Sequence, residues 1–434
     1  MTAFFKKCFC SKWYFLFLII LLAAVVFTGN EVIGAYLFAI FAAGCLFFTG
    51  DFIPALETVL VLVCFAMRCK NSFNSFWHYR LLAIPVFVFL AGFFVRYPIK
   101  LKKGSLFSGI FASSIAVTIG GVGSISAKAY FSETSLFYIV LLGFGQLFFY
   151  CWFYGLLESC DFNYIKEKLP FIFAGVVPAF AVCLFQEYFS RFSEFARSFT
   201  VIPFQWRNNC ATLIMIAMPF AFYLVKKKFA YISIVLLAWL ELVFSGSRGG
   251  LLFGTVEFAI CCLWLFIIDN KNRKKYLTVA ACCLAAAAFA YKPLFGLLRY
   301  TIDRLKNFNE NKIRLQLIMR CIEDFKANPL TGRGLIYMGN HDVHKSAKLT
   351  LCWYHCSPAQ VIGSMGIVGI AAYSFLIYKR IKLYLSHRSL FTSSLLLSYV
   401  GLMLMSLVNP GIFAPVPYLF LMTVFFAFIE YEKQ

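Results

Sequence analysis

The sequence predicts an all-α fold, a polytopic transmembrane bundle of about 12–14 helices with one long extracytoplasmic loop containing an amphipathic helix. Three observations predict it. Of the 434 residues, 62% are hydrophobic and only 14% charged, more apolar surface than a soluble chain of this length can hide. Apolar runs of near-spanning length follow one another along the chain. The 40 Lys and Arg, against 19 Asp and Glu, gather between those runs.

The apolar runs fall at 13–29, 32–49, 53–67, 81–95, 106–122, 134–157, 169–187, 209–225, 229–245, 249–268, 276–291, 358–378, 390–408 and 416–430. The first follows a basic start, MTAFFKK, but its apolar core is about as long as a full span, so it reads as a first helix with a cytoplasmic N-terminus rather than a cleaved signal. Lys226-Lys227-Lys228, the run Asp269 to Lys275 and the run Lys379 to Arg388 are dense basic loops, all cytoplasmic by the positive-inside rule. The loops Tyr188 to Asn208, Ser245 to Gly250 and Leu294 to Ser357, with the stretch near Pro410, then face outward. Arg68 to Arg80 and Arg96 to Lys103 are both basic with one run between them, so either one faces outward or 81–95 does not cross. The chain divides into N-terminal helices (1–187), helices with outer arginine loops (188–291), the long loop (292–357) and C-terminal helices (358–434).

The net charge of +21 is explained by the membrane topology, and nucleic acid is not an expected partner; membrane lipids are. Of the 16 cysteines, Cys45, Cys64, Cys151, Cys183, Cys261, Cys262, Cys282 and Cys283 lie within apolar runs and act as small hydrophobes. No zinc spacing occurs, and His341, Asp342 and His344 fit no strong ligand pattern, so neither metal nor cofactor is expected. No Walker, GxGxxG, HExxH or DxD motif is present.

The long loop is where a chain this apolar has room for chemistry. In NKIRLQLIMRCIEDF the residues Ile313, Leu317, Ile318, Cys321, Ile322 and Phe325 recur at helical spacing, with Arg314, Arg320 and Asp324 on the other face, and Asn328-Pro329 ends the pattern. Such a helix rests on the outer surface with its apolar side against the bundle. Gly332-Arg333-Gly334 reads as a turn. His355, where the loop re-enters the membrane, is a side chain able to accept a proton near neutral pH. Arg248, inside FSGSRGGLLFG, stands at the end of one run and the start of the next; a guanidinium there needs an anion or water, and the adjacent glycines let a bulky ligand approach the backbone. Arg191, Arg197 and Arg207 add cations on the same expected side, and arginine forks match phosphate oxygens.

Four of these pieces, in order, resemble the O-antigen ligases and the related Wzy-type polysaccharide polymerases, over about Arg197 to Tyr373. They are RSFTVIPFQWRNN before an apolar span, FSGSRGG, IRLQLIMRCIEDFKANPLTGRG, and WYHCSPAQVIGSMGIVGIAAY. Cys356 stands where that family usually has Asn, and QWRNN replaces its usual Gly-Asn-Pro-Asn, leaving open whether Arg197 or Arg207 fills the first arginine's place. The resemblance implies a membrane glycosyltransferase of GT-C type. It would move a glycan from an undecaprenyl-diphosphate carrier to a sugar hydroxyl, on a saccharide or lipid-linked acceptor, outside the bacterial cytoplasmic membrane. It implies His355 as base and Arg248 as the catalytic stabiliser of the diphosphate, with Arg197, Arg207, Arg314 and Asn209 binding substrate. Polymerase and ligase stay undivided. The runner-up is a transporter or flippase of a lipid-linked saccharide; Glu57 and Glu241 are the main acids within apolar runs, and the polar cluster lies on one expected face, which favours the enzyme.

Overall fold

The computed structural model describes residues 2–66, 73–126, 133–158, 160–198, 204, 206–292, 295–296, 298–299, 303, 308–335, 338–339, 350–351, 353–409, 411–413 and 418–432. In chain order the helices are α1 (Thr2–Phe9), α2 (Lys12–Thr28), α3 (Glu31–Thr49), α4 (Phe52–Ala66), α5 (Phe73–His78), α6 (Ala83–Arg96), α7 (Phe107–Ser126), α8 (Glu133–Val140), α9 (Gln146–Leu157) and α10 (Phe162–Ser190). They continue with α11 (Phe192–Ser198), α12 (Arg207–Lys227), α13 (Ile232–Phe244), α14 (Arg248–Ile268), α15 (Arg273–Phe289), α16 (Phe308–Ala327), α17 (Ser357–Ser386), α18 (Leu390–Ser406) and α19 (Tyr418–Tyr431). The predicted apolar runs each coincide with a helix, and the loop helix appears as α16, ending one residue before Asn328. Two-residue strands, β1 (Met338–Gly339) and β2 (Thr350–Leu351), pair antiparallel with Met338 opposite Leu351.

Among the described residues, six helices are long and apolar enough to cross a membrane, and six shorter apolar helices of 10–17 residues accompany them. The protein is an all-α, multi-pass membrane protein. Its contacts divide it into two units, one of residues 1–98 and 163–304, the other of residues 99–162 and 305–434.

The first unit is built around α12, buried along nearly its whole length from Asn209 to Val225. α14 lies alongside it and is tied to it at both ends. At the N-terminal ends Ser247 Oγ donates to Asn208 Oδ1 at 2.8 Å. At the C-terminal ends Lys226 Nζ donates to the Ile268 carbonyl at 2.8 Å and lies 3.3 Å from Asp269 Oδ1. A cation beside the last carbonyls of both helices is the favourable end for the macrodipole. Asp269 is buried, which alone would raise its pKa, but hydrogen bonds from Asn272, Tyr276 and Lys226 hold the carboxyl below the usual carboxylate range.

The second unit packs α7 against α17. α17 is not one continuous helix: Gly366 has φ +59 and ψ −149 inside it. The break exposes carbonyls above and amides below, and each must find a partner. The segment Pro329–Gly334 supplies them. Arg333 and Gly334 N–H donate to the Gly363 and Ser364 carbonyls at 2.8 and 3.0 Å, while Ile367 and Val368 N–H donate to the Pro329 and Leu330 carbonyls at 2.8 and 3.1 Å. The GRG expected as a simple turn is therefore a backbone clamp in a helix break.

Two further expectations change. Lys379 to Arg388 is not a loop through most of its length; α17 runs on to Ser386, because the segment holds good helix formers and neither Gly nor Pro. Arg380 is buried there, with its guanidinium 5.3 Å from the Tyr399 ring centre and 5.0 Å from that of Phe426, a cation–π sandwich. On α16 the buried stripe is Leu317, Cys321 and Asp324, while Ile318 and Ile322 are 43% and 41% exposed. The helix is rotated from the orientation its apolar residues predict, because Asp324 has a partner inside.

Candidate functional site

In the first unit the sequence FSGSRGG makes a tight reversal between α13 and α14. Ser245 closes α13, its N–H donating to the Glu241 carbonyl at 2.8 Å. Gly246 then takes φ +67, a left-handed conformation that glycine enters without penalty. Ser247 is the N-cap of α14, its Oγ accepting from Gly250 N–H at 2.9 Å; such a cap contributes about 1 kcal/mol. Arg248 follows as the first residue of α14, half-buried.

The glycines were expected to admit a ligand. Two of them have other work. Gly246 makes the turn, and Gly250 faces α12, where an added Cβ would lie 2.3 Å from Ala211 Cβ. That contact lets the two helix N-termini sit side by side.

Each of those N-termini begins with an arginine. Arg207 is the first residue of α12 and half-buried; Asn208 accepts the Ser247 bond; Asn209 is buried at 4% exposure. Two adjacent helix N-termini, each equivalent to roughly half a positive charge, carrying two guanidinium groups, form a local environment that favours an anion with phosphate-like oxygens. Arg197 is placed differently. It is exposed on the short α11, and its Nε donates to the Ser193 carbonyl of the same helix at 3.2 Å. Arg191 pairs with Glu187 at 3.6 Å.

In the second unit Arg314 lies half-buried on α16. His355 is exposed in the turn ahead of α17 and has φ +52, unique among the described non-glycine residues. A non-glycine residue in that region costs of order 1 kcal/mol or more and persists where its surroundings impose it. The surroundings are visible. Tyr354 N–H donates to Gln360 Oε1 at 3.1 Å, its hydroxyl donates to Asp324 Oδ2 at 2.6 Å, and Cys356 carbonyl accepts from Gln360 N–H at 2.8 Å. Cys321 Sγ donates to the Ala359 carbonyl at 3.2 Å, and burial pushes that thiol up to about 11, keeping it a neutral donor. Cys356, at the family's Asn position, is the N-cap residue of α17 and makes no side-chain cap bond. His341, Asp342 and His344 lie outside the described residues.

Sequence reasoning missed three things. The clamp was hidden because its hydrogen bonds join residues 30 and 38 apart in the chain; the glycines were its signal, since Cβ atoms at Gly332 and Gly366 would lie 2.3 Å from Met365 N and 2.5 Å from the Pro329 carbonyl oxygen. Asp324 was assigned to the outer face for its charge. Glu257 was passed over among the acids within apolar runs; it is fully buried, and neither its carboxylate oxygens nor those of Glu241 have a hydrogen-bond partner among the described residues.

The fold and these turns define a class: a multi-pass helical membrane protein with Arg207, Arg248 and His355 at or just before helix starts. The family comparison sharpens it. Residues 232–374 match the family model described as O-Antigen ligase, so that third of the chain is similar to the O-antigen ligase family. The matched span takes in the Arg248 turn, α16, the clamp and His355. It supports a membrane glycan ligase or polymerase role. No curated protein matches the chain.

Proposed function

We propose that the protein transfers a glycan from an undecaprenyl-diphosphate-linked donor to a sugar hydroxyl, at the outer face of the bacterial cytoplasmic membrane, as a GT-C-type glycosyltransferase. The observation that carries this is the pair of adjacent helix N-termini headed by Arg207 and Arg248. In the reaction the acceptor oxygen forms a new bond to the anomeric carbon as the bond from that carbon to the carrier's diphosphate oxygen breaks. The bonding pair leaves with the diphosphate. Charge grows on the departing phosphate, and preorganised cations that meet it there lower the barrier without reorganising. Arg248 takes that role, with Arg207 rather than Arg197 as its companion and Asn209 contributing to the same binding surface. The acceptor's proton passes to His355 as base, and attack from the opposite face inverts the anomeric centre. Arg314 binds the anionic donor from the loop helix.

The test is transfer by the purified protein in lipid vesicles, with a lipid-linked oligosaccharide as donor. Wild type forms product, and His355→Ala loses at least about 100-fold in rate while its melting temperature is kept. Full activity of His355→Ala would remove the base assignment. Product length separates the remaining choices: a ladder of repeats marks a polymerase, a single addition a ligase. The transporter reading draws on Glu241 and Glu257, buried acids in membrane helices. Glu257→Gln with unchanged transfer, and no saccharide movement across vesicles by wild type, would set that reading aside.

A further inference from the structure

His355 holds a strained backbone, and the turn alone does not explain it. Downstream, the chain is fixed by the start of α17. Upstream, Trp353 packs edge-on against Tyr138, and Tyr354, next to the histidine, is held at three points. Its backbone N–H is bonded to Gln360 Oε1, and Gln360 Nε2 is in turn bonded to Ser364 Oγ at 2.9 Å. Its ring lies on Gly363, where any Cβ would come within 2.7 Å of the ring's Cζ. Its hydroxyl reaches Asp324 on α16, and Asp324 Oδ1 lies 3.4 Å from Arg320 Nε. Tyr354 and Asp324 are 2% and 3% exposed. A buried hydrogen bond to a carboxylate is among the stronger kinds, strong enough to offset the strain at the next residue.

We propose that Tyr354 and Asp324 are positioning residues for His355: the hydroxyl–carboxylate bond pins the residue immediately before the histidine to the loop helix, and so fixes the backbone from which the imidazole is presented. This rests on the reading of His355 as base. The pair touches no reacting atom. It acts by holding the base within the small tolerance that proton transfer requires, where a displacement of about 1 Å costs up to about 100-fold. The loop helix α16 then does more than pack against α17, because it sets the geometry of the histidine.

Steady-state transfer kinetics with melting temperatures test the proposal. Tyr354→Phe keeps the ring on Gly363 and removes the bond; kcat falls between about 10- and 100-fold, with KM unchanged. Asp324→Ala behaves the same way, and Asp324→Asn, whose amide oxygen still accepts from the tyrosine, recovers most of the rate. Melting temperatures stay within about 4 °C of wild type. Wild-type kcat in Tyr354→Phe overturns the proposal. So does a loss of rate that follows a fall in melting temperature, or one that Asp324→Asn fails to recover. Failure of the underlying reading looks different: His355→Ala would retain activity whatever the tyrosine does.

Discussion

The arginine turn of the first unit and the histidine turn of the second solve the same local problem, a chain reversal before a helix, in opposite ways. The arginine turn is made from its own seven residues and the neighbouring helix start. Gly246 bears the positive φ, Ser247 caps, and Arg248 enters α14 with no backbone strain of its own. The histidine turn puts the positive φ on the proposed base itself, and a restraint on it comes from Asp324, thirty residues before Tyr354. The backbone of the arginine turn is shaped by its own Gly246 and Ser247, and α12 is used to place it. On the proposed reading, a base that must meet one atom gains from support by a separate helix.

Breaking the second kind of restraint should do the most damage. Gly332→Ala forces a side chain against Met365 N at a backbone φ of +67, a cost of more than about 3 kcal/mol. The expected result is loss of folded protein in detergent, read by size exclusion and thermal unfolding. Arg207→Ala, at the local turn, should leave folding intact and reduce transfer by about 10- to 100-fold. Arg197→Ala should change the rate by less than about twofold, as an exposed arginine bonded to its own helix. If Arg197→Ala proves the more damaging of the two, the pairing of Arg207 with Arg248 is wrong.

The smallest effect should come at the far ends of α12 and α14. Asp269→Asn removes a carboxylate whose folded pKa is depressed. Such a group stabilises the fold above its unfolded value of about 3.9 and loses that contribution as pH falls through the lower folded value. The variant should melt a few degrees lower than wild type at neutral pH, with the gap closing in acid and transfer unaltered.

The contrast also explains what was legible in the sequence. Helix positions followed from apolar runs, and the loop helix from its spacing, because both signals are local. Arg248 and His355 were singled out from residue type and place, and the structure sets both beside helix starts. The burial of Asp324, the clamp of Pro329–Gly334 in the α17 break and the true use of Gly250 were not, since each depends on a partner distant in the chain. Arg207 could be ranked above Arg197 only once Asn208 was seen bonded to Ser247.

The most direct test of the central claim compares Arg248→Ala and Arg248→Lys in purified, vesicle-bound protein supplied with an undecaprenyl-diphosphate-linked glycan. The account predicts that alanine lowers transfer by at least about 100-fold, and that lysine, a point charge without the guanidinium fork, restores only a minor part of it. Wild-type transfer by Arg248→Ala would contradict it.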